Sequence, residues 1–170
     1  MSAAVVILCG FGALWAIGGL TALGAPAWAW VVPVGLGAGI AAWCLRAVRT
    51  LPARSLAERR RIARLVGIWS AAEGVLIVAV DNVLADTGQV HDVLSATAVI
   101  VGLHFLPLAR GIPQPVCSAT GAALVVLGIA GLALADPYAW ALAGFGSALV
   151  LWLASVGISV PRRGRSAMAQ

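Results

Sequence analysis

Apolar residues run along this chain in long blocks that charged side chains almost never interrupt. This is neither the period-2 alternation of a half-buried strand nor the one-sided stripe of a soluble amphipathic helix. Six blocks stand out: Ala4–Leu23, Ala27–Ala47, Leu65–Leu84, Val93–Ala109, Ser118–Ala135 and Tyr138–Val160. Each approaches the ~20 predominantly apolar residues that a helix needs to cross a bilayer's hydrocarbon core. The pattern therefore predicts an all-α fold, a polytopic membrane bundle of six transmembrane helices. Residues 1–160 make one transmembrane domain in this reading, and 161–170 make a basic tail.

Composition sharpens the picture. Of 170 residues, 62% are hydrophobic and 10% charged, with mean hydropathy +1.02, far from the balance of a soluble domain. Six spans consume the length, so no soluble catalytic or nucleotide-binding domain fits beside them. The formal charge of +5 comes from 11 basic residues, every one an Arg. Seven lie between Arg46 and Arg64, one is Arg110, and three are Arg162, Arg163 and Arg165. Clusters of this kind mark the cytoplasmic side of membrane proteins rather than a nucleic-acid groove. The 2–3 connection, the 4–5 connection and the C-terminus then share the inner face, and both termini are expected to be cytoplasmic. The Arg46–Arg64 loop would meet anionic lipid headgroups at about 1 kcal/mol per residue near the surface.

Local signals add detail. Met1–Gly12 carries no charge, unlike the positive n-region of a signal peptide, and the first block reads as a span. Ser55-Leu56-Ala57-Glu58 is a capping-box pattern. With no Pro after it, Leu56–Leu84 is expected to be one continuous helix whose first turns project beyond the membrane. Gly19-Leu20, Pro26 and Ala27-Trp28-Ala29 resemble Gly131-Leu132, Pro137 and Ala139-Trp140-Ala141, a faint parallel repeat of the first and last hairpins. Gly35-x-Gly37-x-Gly39, Ser70-x-x-x-Gly74 and Gly144-x-x-x-Ala148 are spacings that let helix backbones approach closely. Pro33 and Pro107 are expected to kink spans 2 and 4.

Candidate chemistry centres on Glu73, because an ionisable group inside hydrocarbon must pair, protonate or meet water. At 1.5 Å per residue Glu73 lies about 12 Å, and His104 about 9 Å, from the same inner edge on antiparallel neighbours. A Glu73–His104 contact is expected, with Ser70 one turn from Glu73 and Thr97 two turns from His104. The pair would bind a proton or ligand, or else lock spans 3 and 4 together by a buried hydrogen bond. Asp81, Asn82 and His91 lie near the outer end of the same two spans, where they would cap helices or form an outer polar gate. Trp15 and Trp152 fall near the middle of spans 1 and 6, and could line a pocket for a lipophilic cation by cation–π attraction.

Cys9, Cys44 and Cys117 fall in the inner half and should be reduced thiols. With no C-x-x-C pair, and with His91 and His104 thirteen residues apart on one helix, neither a metal site nor haem is expected, and no other cofactor. No Gly-x-Ser-x-Gly elbow, Walker loop or Cys–His arrangement points to an enzyme.

The stretch Val101-Gly102-Leu103-His104-Phe105-Leu106-Pro107-Leu108-Ala109, with Glu73-Gly74 and Asn82 upstream, resembles a group of small, functionally unassigned bacterial six-helix integral membrane proteins carrying a GLHFLPLA-type motif. The resemblance covers a quarter to a third of the chain. It implies the six-helix architecture and draws attention to Glu73 and His104, without supplying a substrate or reaction. The preference for Ala and Arg fits a GC-rich bacterial genome, and a bacterial inner membrane is the expected location. The leading expectation is a small transporter or permease-like bundle binding protons or a cationic solute. The alternative is a non-catalytic accessory or scaffold protein whose buried polar pair is structural.

Overall fold

The computed structural model describes residues 2–49, 55–112 and 114–160. Within them the chain is all-helical: α1 (Ser2–Ala22), α2 (Val31–Val48), α3 (Leu56–Asp86), α4 (Val93–Gly111), α5 (Pro115–Leu132) and α6 (Tyr138–Ser159). Short 3-10 turns at Ala27–Trp30 and Val90–Asp92 lead into α2 and α4. Six helical segments are long and apolar enough to cross a membrane, which is compatible with a multi-pass integral membrane protein. The basic tail at 161–170, with Arg162, Arg163 and Arg165, lies outside the described residues, as does Arg54.

The helix ends follow from their residues. The Ser55 hydroxyl accepts from the Glu58 backbone N–H at 3.2 Å and starts α3, as the capping-box pattern requires. That helix runs 31 residues without a break. It stops where Gly88 adopts φ +75°, with Gly88 N–H bonded to Ala85 O and Gln89 N–H to Leu84 O. α1 stops the same way at Gly24, φ +68°. In both, a glycine takes the left-handed conformation that lets free carbonyls at the helix end find donors.

Two expected kinks come out differently. α2 begins only at Val31, so Pro33 occupies its first turn, where a missing N–H leaves no helical bond unmade. Pro107 does lie inside α4.

α6 packs against α1, α2, α4 and α5, and α4 packs closely along α5. Trp15, Ala16, Ala98, Leu124, Ala148 and Leu151 form the central core of this body. Its tight crossings are made by glycines. A Cβ on Gly144 would lie 2.6 Å from the Gly19 backbone nitrogen, and one on Gly121 would lie 2.7 Å from the Gly102 carbonyl oxygen. α1 meets α6 and α4 meets α5 at backbone-to-backbone distance there, the close packing that substitutes for a hydrophobic driving force inside a membrane.

α3 stands apart from this body. It packs on α4 and on the Val90–Asp92 turn, and none of its residues is buried, whereas every other α-helix buries at least four. The fold is thus a five-helix body with a long sixth helix laid along one side.

Candidate functional site in the seam between α3 and α4

The two antiparallel helices mesh in steps of eight residues on α3 against seven on α4. At one end Leu65 lies against Gly111, where an added Cβ would come within 2.8 Å of Leu65 Cδ1. Eight residues on, Glu73 meets His104, with Oε2 3.5 Å from Nδ1. Eight further on, Asp81 meets Thr97, whose hydroxyl donates to Asp81 Oδ1 at 3.3 Å and to its own helix at Val93 O at 2.8 Å. The seven-residue step keeps Gly111, His104 and Thr97 on one face of α4, whereas the eight-residue step turns the contact line on α3 by about 80° each time, and the polar residues of the seam form two layers about 12 Å apart along α3. The apolar Ile77 lies between them.

The inner layer holds the more unusual chemistry. The His104 side chain is 8% exposed and that of Glu73 17%. His104 Nδ1 is buried and makes no hydrogen bond of acceptable geometry, a status shared among the described residues with the Ser95 and Ser147 hydroxyls. The Trp69 backbone also faces the imidazole, and the Phe105 ring stands edge-on to it at 5.8 Å. Pro107 has no N–H, so the Leu103 carbonyl four residues earlier lacks its usual helical donor. A carboxylate and an imidazole nitrogen therefore meet at one level of the seam, with the freed carbonyl one residue before His104 on α4.

Of the other residues singled out from the sequence, Ser70 is exposed on α3, one turn before Glu73. Thr97 belongs to the outer layer with Asp81, not to the Glu73 layer. Asn82 is exposed and donates to Val78 O of its own helix at 2.6 Å. His91 lies 3.3 Å from its neighbour Asp92, and its backbone carbonyl accepts from the Trp140 indole at 2.6 Å. Asp81, Asn82 and His91 thus have three separate partners. Trp15 is 6% exposed in the central core. The Trp152 indole donates to Cys9 O at 3.2 Å and packs against Gly12. Both tryptophans belong to the α1–α6 side of the body, whereas Glu73 is carried by α3. The aromatic residue beside the carboxylate is instead Trp69, four residues before it, on a neighbouring part of the α3 surface. Its i, i+4 spacing was readable in the sequence, but an interfacial tryptophan has the same signature.

A second polar knot joins α1, α2 and α6. The Ser155 hydroxyl lies 3.1 Å from Cys9 Sγ and 3.5 Å from Cys44 Sγ, all three residues being buried. Cys9, Cys44 and Cys117 are not joined in a disulfide. Among the described residues no three His, Cys, Asp or Glu side chains converge as metal ligands would. An apolar groove of about 340 Å³ runs between α2 and α6, lined by Gly35, Leu36, Gly39, Ile40, Trp43 and Val156. None of its lining residues belongs to the seam.

Comparison with known protein families, curated proteins and solved structures finds no match for this chain.

Proposed function

We propose that the protein is a small transporter or permease-like bundle of the bacterial inner membrane that binds a proton or a cationic small solute between Glu73 and His104. The observation that carries this reading is the buried His104 Nδ1, without a hydrogen-bond partner, 3.5 Å from a carboxylate on a neighbouring helix apolar enough to cross a membrane. A pair that served only as an interhelical bond would be expected to align donor and acceptor, since an unmade hydrogen bond in a buried site costs about 1–3 kcal/mol. A proton or a donor-bearing cation between the two groups would satisfy both. A proton taken up there goes onto the Glu73 carboxylate or the His104 ring, and leaves again when the seam is exposed to the other side.

The peripheral position of α3 supports a moving part in this reading, because shifting a helix that buries no residue disturbs little of the core. The same observation favours a second reading, an accessory or scaffold protein. A helix attached through one neighbour depends on whatever polar contact the seam provides, and the pair could be that attachment.

The two readings separate on Glu73→Gln, which keeps size and hydrogen bonding but cannot titrate. The proposal expects the variant to remain folded and to lose the wild type's dependence of melting temperature on pH between 5 and 8, together with any proton-coupled uptake in proteoliposomes. If Glu73→Gln leaves the pH dependence intact while His104→Ala lowers the melting temperature at every pH, the pair is structural and the transporter reading falls.

A further inference from the structure

We infer that the solute is an amphiphilic organic ammonium carrying at least one N–H, and that it enters the α3–α4 seam sideways from the lipid. This rests on the proposed role of Glu73 and His104 and adds the ligand class and its route.

The route follows from where the pair lies. A water-filled path through the body would be lined by several helices, but Glu73 is carried by α3, which packs chiefly on α4 and the short turn leading into it. No other α-helix packs extensively on α3, so in the proposed membrane setting the outer side of the seam borders lipid. Glu73 retains 17% exposure, and a Cβ added at the adjoining Gly74 would meet nothing within 4 Å. The carboxylate therefore has an open approach from the side.

The ligand class follows from the groups at that approach. Glu73 supplies a counter-charge and two acceptor oxygens. A neutral His104 has one ring nitrogen that only accepts. The Ser70 hydroxyl, one turn before Glu73, can accept as well. Acceptors gathered around one negative charge call for a cation with N–H groups to donate. Trp69, 39% exposed, lies one turn before Glu73 on a neighbouring part of α3, an aromatic side chain of the kind that attracts a cation. Beside this small polar spot α3 exposes Leu76, one turn after Glu73 and on the same side of the helix. With Trp69 one turn before Glu73, it suits an apolar body lying along the helix and offers nothing to a sugar, a nucleotide or a hydrated metal ion.

The remaining charges near Glu73 leave it as the anchor. On α3 the nearest are Arg64, nine residues before, and Asp81, eight after and bonded to Thr97. On α4, besides His104, there is Arg110, exposed near the helix end. The Val90–Asp92 turn contributes His91 and Asp92, which contact each other at the far end of the seam.

The test is equilibrium binding to the full chain in lipid nanodiscs, using four probes: 1-aminoadamantane, its N,N,N-trimethyl derivative, 1-adamantanol and methylamine. Saturable binding of 1-aminoadamantane is expected, at least tenfold tighter than each of the other three and weakened at least tenfold by Glu73→Gln. Equal affinity for the trimethyl derivative would overturn the requirement for an N–H donor, and equal affinity for methylamine would overturn the apolar body and lipid-side entry. If no probe binds saturably while Glu73→Gln still abolishes the pH dependence of melting, this inference fails and the proposed proton site stands. Loss of both results removes both. The four-probe comparison on the unaltered protein needs no variant, so a folding defect in Glu73→Gln would leave it decisive.

Discussion

At the scale of single residues, what a side chain contributes depends on which part of the bundle its helix faces. Gly144 and Gly35 are both small residues on spanning helices, and the sequence flags both for close packing. Only Gly144 sits at a helix crossing, with no room for a Cβ beside the Gly19 backbone, whereas a Cβ on Gly35 meets nothing within 4 Å. Gly144→Ala is expected to cost about 1–3 kcal/mol, because backbone cannot move aside as a flexible side chain can. Gly35→Ala should be neutral or stabilise by up to about 1 kcal/mol through helix propensity. Unfolding midpoints of the purified variants check the contrast, and equal losses would contradict this packing. The ionisable residues show the same limit. Glu73 and His104 could be paired from the sequence because depth along a helix is a count of residues. Thr97 could not be assigned to a layer, because the eight-against-seven step that hands it to Asp81 depends on how the helices mesh. The expected pocket role of Trp15 and Trp152 is not met near Glu73 for a related reason: mid-span depth leaves the direction of a ring around the helix axis undetermined, and both rings lie on the α1–α6 side.

At the scale of elements, α3 was the most legible segment. Ser55 and Glu58 mark its start, Gly88 its end, and no proline intervenes, so local rules alone specify its length. Ser55→Ala is expected to cost about 1 kcal/mol at the first turn. Hydrogen exchange should show faster exchange at Leu56–Arg60, with the spanning part of α3 unchanged. The side of the body on which α3 packs is a tertiary matter. The seam predicts that Leu65→Cys with Gly111→Cys forms a disulfide under mild oxidation in a chain where the half-buried Cys117 is replaced by Ala. Cys9 and Cys44 are buried and can remain. Failure of this pair to cross-link, with efficient cross-linking of Leu65→Cys to α5 instead, would displace α3 from α4. Pro33 shows how an element boundary alters a residue's meaning. The apolar run starts at Ala27, but the 3-10 turn delays α2 by four residues and turns an expected mid-helix kink into a first-turn proline.

At the scale of the whole molecule, the Arg distribution argues for an arrangement in which both termini and the Arg46–Arg64 connection lie in the cytoplasm. The glycine-capped ends of α1 and α3 then face outward, and single Ala25→Cys and Gly88→Cys variants should react with an impermeant thiol reagent added to intact cells. Reaction at Gly88→Cys only after the membrane is broken would reverse this sidedness. Number, length and approximate limits of the six helices were determined by the sequence itself, because crossing hydrocarbon requires about 20 apolar residues with their backbone bonds closed internally. That requirement is local, so it is written in composition and in caps. What only the tertiary structure decided is which helices make the body and which one is left beside it. The most apolar 18-residue stretch of α3 matches in hydropathy those of the segments that contain α2 and α4, yet among the α-helices α3 alone buries no residue. In lipid every span is apolar on all sides, so amphipathic patterning, which tells a soluble helix which face is inward, is largely missing. Neighbours are chosen instead by the fit of one backbone against another at Gly19, Gly102, Gly121 and Gly144. Such a fit is a property of two surfaces together and is not contained in either segment alone.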